Sequence, residues 1–93
     1  MSNYRRGDVR SPHGTLRLTV GALAEIAEVT GAESPRVLAE RVRVMGPETA
    51  RVLLGALLRG GGGTGDLSDV SDAEIAALMP QLAACISAAL VPA

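Results

Sequence analysis

"PETARVLLGALLRGGGG", residues 47–63, joins a regular apolar helix pattern to a run of glycine. The apolar side chains recur at the i, i+3, i+4, i+7 spacing of one helix face: Ala50, Leu53, Leu54 and Leu57. Gly46-Pro47 marks the start, because proline is tolerated in the first turn of a helix. Glycine favours helix ends. The stretch therefore predicts a helix over about 47–59 and a glycine-rich loop over 60–70, with Arg51, Gly55 and Arg59 on the solvent side of the helix.

Capping signals predict two helices before this one. Thr19 is a suitable N-cap and Gly31 a suitable C-terminal stop for a helix over 20–30. Its apolar face is broad, so we expect this helix to be central: Val20, Leu23, Ala24, Ile26 and Ala27. Ser34 and Pro35 open the next helix, over 35–45, which carries a narrower inward stripe of Leu38, Val42 and Met45.

Two more helices are expected after the glycine-rich loop. Ser71 and Glu74 fit a capping box, in which each side chain bonds the other residue's amide, and predict a helix over 72–79. Met79-Pro80 interrupts the pattern, and a last, almost uncharged helix is expected over 81–90. One face of that helix is expected to contact a partner, because so small a core cannot cover every side of it.

The N-terminal part of the chain favours strand rather than helix. Two short segments within residues 7–18 flank Ser-Pro-His-Gly, which is typical of a turn. The fold class predicted is therefore mainly α: a short N-terminal β-hairpin followed by four or five short helices in a small bundle. We expect residues 1–93 to form one domain.

Composition limits both stability and function. The 93 residues are 47% hydrophobic but include a single aromatic residue, Tyr4, so the core buries little area per side chain. We expect such a domain to gain stability from a partner or a second copy. A formal net charge of −1 provides no general attraction for nucleic acid or an anionic membrane. The longest apolar run, over 82–91, is well short of the roughly 20 residues that span a bilayer. We expect a soluble, cytoplasmic protein.

The glycine-rich loop does not match known phosphate or metal motifs. A P-loop needs a preceding strand and a lysine, whereas a helix precedes this loop and the chain contains no lysine. Asp66, Asp69 and Asp72 are spaced by three, which differs from a calcium-binding EF-hand. His13 and Cys85 have no recognisable catalytic companions. We expect no enzyme activity, no cofactor and no metal site, and interpret the loop as a flexible joint.

Two motifs carry a resemblance to a known family. Thr19–Glu25, "TVGALAE", and Leu57–Gly62, "LLRGGG", occur at this spacing within a pattern that covers roughly Arg5 to Leu90. The chain resembles small tail proteins of gene transfer agents and related siphophages of alphaproteobacteria. Those proteins are described either as tail assembly chaperones or as tail tube proteins.

The resemblance implies a non-enzymatic tail assembly chaperone that binds the tape measure protein and helps to recruit tail tube subunits. A structural tube component, which would be virion-associated, is the first alternative. The second is a small helical DNA-binding regulator that uses the N-terminal arginines Arg5, Arg6, Arg10 and Arg17. The candidate partner contacts are apolar residues of the last helix with a polar rim: Leu82, Ile86, Ala89, Leu90, Arg51 and Arg59. Self-association also stays open.

Overall fold

The computed structural model describes residues 8–32 and 34–88, in which a two-stranded hairpin precedes five helices. The strands are β1 (Val9–Ser11) and β2 (Gly14–Leu16), and the helices are α1 (Val20–Thr30), α2 (Pro35–Val42), α3 (Pro47–Gly60), α4 (Asp72–Ala77) and α5 (Met79–Ala88). The predicted fold class, mainly α with a short N-terminal hairpin followed by several short helices, is confirmed.

The hairpin is antiparallel and smaller than predicted. Its register pairs Val9 with Leu16 and Ser11 with Gly14. The Ser11 side chain closes the turn, because its hydroxyl donates to the Gly14 carbonyl at 2.7 Å and accepts from the His13 amide at 3.3 Å. Each strand has only three residues. Within the described part of the predicted 7–18 segment, residues 8, 12–13 and 17–18 lie outside the strands.

The helix starts lie at the predicted caps. The Thr19 hydroxyl accepts from the Ala22 amide at 3.0 Å, and Ser34 accepts from Val37 at 3.3 Å. Ser71 accepts from the Glu74 amide at 3.2 Å, which is one half of the predicted capping box. The Glu74 carboxylate instead lies 4.0 Å from His13 Nε2, so this side chain connects α4 to the hairpin turn.

Two helix ends differ from prediction. Helix α2 ends at Val42, and the chain then turns, with the Val44 amide bonded to the Arg41 carbonyl at 3.1 Å. The break between the last two helices falls at Leu78 rather than at Met79-Pro80. Proline is tolerated at the second position of α5 because the amide of a first-turn residue has no partner within the helix. The end of the predicted last helix, residues 89–90, lies outside the described residues.

Helix α3, and not α1, lies at the centre of the fold. Seven of its 14 residues are buried, and they occupy most of its circumference: Ala50, Leu53, Leu54, Gly55, Ala56, Leu57 and Leu58. In α1 only Ala22 and Ile26 are buried, whereas Ala24 is exposed and Val20 is 89% exposed. The prediction for α1 was wrong because an apolar composition was taken for a buried face. The elements β2, α1, α4 and α5 pack against α3, whereas α2 packs mainly against α5.

One hydrophobic cluster connects the described elements. Its fully buried large side chains come from β2 and all five helices: Leu16, Ile26, Leu38, Leu53, Leu54, Leu57, Ile75, Leu82 and Ile86. Leucine and isoleucine supply nearly all of this buried volume. Burial of each such side chain stabilises the fold by about 1.5–3 kcal/mol, and no large ring dominates.

The C-terminal end of α3 lies directly against the hairpin backbone. The Arg17 amide donates to the Leu57 carbonyl at 3.0 Å. A Cβ atom added to Gly61 would lie 2.0 Å from the Thr15 carbonyl oxygen, far inside van der Waals contact. Glycine is therefore required at this point by the close approach of two backbones.

Gly61→Ala should destabilise the protein by about 2 kcal/mol or more, because the methyl group forces the helix end away from the hairpin. Gly21→Ala is the matched control. An added Cβ at Gly21 meets nothing closer than 3.9 Å, so alanine should be neutral or stabilising within α1 by up to about 1 kcal/mol. Urea unfolding followed by circular dichroism measures both. Equal stability of the two variants would contradict the proposed close packing.

Candidate functional site

The glycine-rich loop folds back onto α3. The Gly61 amide donates to the Leu57 carbonyl at 3.0 Å, the Gly62 amide to Arg59 at 3.1 Å, and the Gly63 amide to Leu58 at 2.9 Å. These bonds satisfy carbonyl groups of the last helical turn, of which Leu57 also accepts from the Arg17 amide. The same three amides are therefore engaged within the chain rather than directed at a ligand.

The loop then crosses the middle of α3 at a pair of glycines. Gly65 has a φ of +73°, and a Cβ atom there would lie 2.5 Å from the Gly55 carbonyl oxygen. Gly55 is buried beneath this crossing. The prediction that Gly55 faces solvent was wrong, since the loop covers that side of the helix.

Arg51 fastens the remainder of the loop. Its Nη1 donates to the carbonyls of Leu67 and Val70, both at 2.7 Å, and its Nη2 donates to Asp72 Oδ1 at 2.9 Å. The Leu67 and Val70 side chains are buried in the core. The loop is thus held by polar and apolar contacts along its length, which contradicts its interpretation as a flexible joint.

Asp66 organises the turn between the glycine crossing and this arginine. Its carboxylate accepts from the Ser68 amide at 3.0 Å, and hydrogen bonds from Ser68 lower the pKa of the carboxyl group. Asp66 therefore stabilises a turn, a role that the three-residue spacing of the aspartates did not indicate. Asp72, three positions beyond Asp69, is engaged by Arg51.

A shallow cleft lies between α3 and the loop. Its volume is about 300 Å³, and it is lined by Arg51, Val52, Gly55, Arg59, Gly65, Asp66, Leu67 and Ser68. The guanidinium of Arg59 pairs with Glu25 of α1. Two of the six predicted contact residues, Arg51 and Arg59, therefore line one surface feature, but no residue of α5 lines it.

The apolar contact residues predicted on α5 are elsewhere. Leu82 and Ile86 are fully buried in the core, and Ala89 and Leu90 lie outside the described residues. The exposed positions of α5 are Pro80, Ala84 and Ser87. Leu82 and Ile86 could meet a partner only if α5 left the bundle, so the folded protein presents the opposite face of this helix.

A second depression was missed by the sequence analysis. Its volume is about 120 Å³, and we call it the Met45–Met79 groove after residues at its two sides; its lining consists of Met45, Gly46, Pro47, Asp72, Ile75, Ala76 and Met79. Val44, next to it in sequence, is 85% exposed. The sequence feature that could have indicated this groove is "VMGP" at residues 44–47, where two apolar side chains precede a helix break.

A partly buried ion pair joins Asp8, just before β1, to Arg17, just after β2. Arg17 Nε donates to Asp8 Oδ1 at 2.9 Å and Nη2 donates to Oδ2 at 2.6 Å, and the Asp8 side chain is only 1% exposed. The hydrogen bonds that Arg17 donates to Asp8 raise the pKa of the arginine. Arg17 is thus committed to a structural pair. Arg5 and Arg6 of the predicted basic cluster lie outside the described residues.

Cys85 lies in the same region, on the inner side of α5. Burial raises the pKa of its thiol to about 11; the neighbouring Asp8 charge adds to this, and a hydrogen bond from the Leu18 backbone opposes it. At neutral pH the thiol is protonated and buried, as expected for a small apolar side chain.

Neither a membrane span nor a metal cluster occurs within residues 8–32 and 34–88. Their helices are too short or too polar to cross a bilayer. No three of their His, Cys, Asp and Glu residues are grouped so as to hold a metal ion.

The described residues form a small, mainly helical protein, and a cleft and a groove lie on its surface. Residues 10–92 match the family described as phage tail tube protein, GTA-gp10, and the chain belongs to this family. The resemblance to tail proteins of gene transfer agents is confirmed at that level. The description names the tail tube, the first alternative of the sequence analysis, and does not mention a chaperone. No curated protein and no solved structure gives a significant match.

Arg51→Met should loosen the loop and destabilise the protein by about 2 kcal/mol, because the part-buried Val70 carbonyl loses its donor and the Leu67 carbonyl keeps only the Val70 amide. Hydrogen exchange should accelerate across residues 61–71 more than in α1. Arg36→Met is the control, since this exposed arginine of α2 forms no ion pair among the described residues. Unchanged exchange in the Arg51 variant would show that the loop does not depend on this side chain.

Stability should decrease between about pH 9 and pH 11 because of Cys85. The folded-state pKa, about 11, lies above the ordinary value of 9.0, so the unfolded chain loses its thiol proton first and is favoured as the pH rises. The difference corresponds to roughly 2–3 kcal/mol. Urea unfolding measured across this pH range tests the decrease.

Cys85→Ala is the matched variant for the alkaline titration. The chain has no lysine and a single tyrosine, Tyr4, so few other groups titrate in this interval. The pH-dependent decrease should largely disappear in the variant, although its stability at pH 7 is lower because of the smaller side chain. An equal decrease in both proteins would assign the effect to another group.

Proposed function

We propose that this protein is a non-enzymatic tail assembly chaperone, which binds the tape measure protein and helps to bring tail tube subunits to it. The observation that carries the proposal is the mainly helical fold of a phage tail family member. Its described strands have three residues each, which corresponds to about 10 Å of strand. So short a hairpin offers few backbone groups for pairing with neighbouring subunits.

The exposed helix surfaces support a helical partner. Helix α1 exposes Val20, Ala24 and Val29, and the last helices expose Ala77, Pro80 and Ala84. Small apolar side chains on a helix surface allow close approach of another helix, and helix docking reads such surfaces at i, i+3, i+4 spacing. A long, largely helical tape measure protein is a partner of this kind.

A structural tail tube component is the second candidate, and the description of the family favours it. In that role the chain would contact further copies of itself or other tube subunits and would stay in the finished particle. A chaperone would act in the host cytoplasm and leave before the particle is complete. The two candidates therefore differ in where the protein is found at the end of assembly.

Co-expression with a tape measure fragment tests the chaperone proposal. The fragment should become soluble and co-purify with the protein, and the protein should be absent from purified particles. The fragment expressed alone is the control for solubility. The chaperone proposal would be abandoned if the fragment stayed insoluble and formed no complex. If purified particles also contained many copies of the protein, as a tube of stacked rings requires, the tail tube component would be the better assignment.

Duplex DNA provides a further control for the same preparation. A DNA-binding regulator would be retained on duplex DNA in a strongly salt-dependent manner, because each phosphate contact releases counterions. We expect weak retention, since Arg17 is paired with Asp8 in the described part of the chain. Strong, salt-sensitive retention would favour the regulator.

A further inference from the structure

We draw no further inference here: the strongest candidate, the Met45–Met79 groove between the start of α3 and helix α4, is a mostly apolar depression whose one charged lining residue, Asp72, is already bound to Arg51, and nothing in the structure shows what covers it.

Discussion

The fold depends on backbone lying against backbone around α3. Gly61 meets the Thr15 carbonyl at the helix end, and Gly65 meets the Gly55 carbonyl at mid-helix. A helix normally keeps its neighbours at a distance set by side chains, about 8–10 Å between axes. Glycine removes that spacing here, so a chain with a single aromatic residue, Tyr4, still encloses a core made mostly of leucine, isoleucine and alanine.

Arg51 holds the part of the loop that follows the two glycine contacts. Once the loop lies on α3, Arg51 Nη1 donates to the carbonyls of both Leu67 and Val70, and the Leu67 carbonyl also accepts from the Val70 amide. The same guanidinium reaches Asp72 at the start of α4. The side chain thus sets where the loop ends and the next helix begins, and it forms one wall of the cleft beside Val52 and Arg59.

Local signals in the sequence determined what could be predicted. Thr19, Ser34 and Ser71 cap helices as expected because capping depends on a few adjacent residues. The burial of α1 and α5 could not be read in the same way. Both helices are apolar on most sides, so periodicity does not select the inward face, and packing against α3 and α2 decides it. Leu82 and Ile86 were therefore assigned to the surface although the core needs them.

In the candidate site, too, local sequence patterns predict some of the residues and tertiary packing decides the others. Arg51 and Arg59 share a helix row, which the 3.6-residue period reveals, and both line the cleft. Their partners, Leu67, Val70, Asp72 and Glu25, are separated from them in sequence by a turn or a loop, and no local rule connects them. The Met45–Met79 groove joins residues 34 positions apart, with α3, the glycine-rich loop and α4 between them, and only the three-dimensional structure reveals it.

The loop at residues 61–70 also limits how the chain can be modified. A run of four glycines is where a protein engineer would place an epitope tag or a fluorescent label, since such runs usually tolerate insertion. Here the segment is held against α3 at Gly61, at Gly65 and by the hydrogen bonds from Arg51, so the packing fixes the number of residues between these contacts. Inserted residues would have to bulge outward over the cleft or break one of these contacts. Related sequences should therefore differ in this loop by substitutions at exposed positions rather than by changes in length.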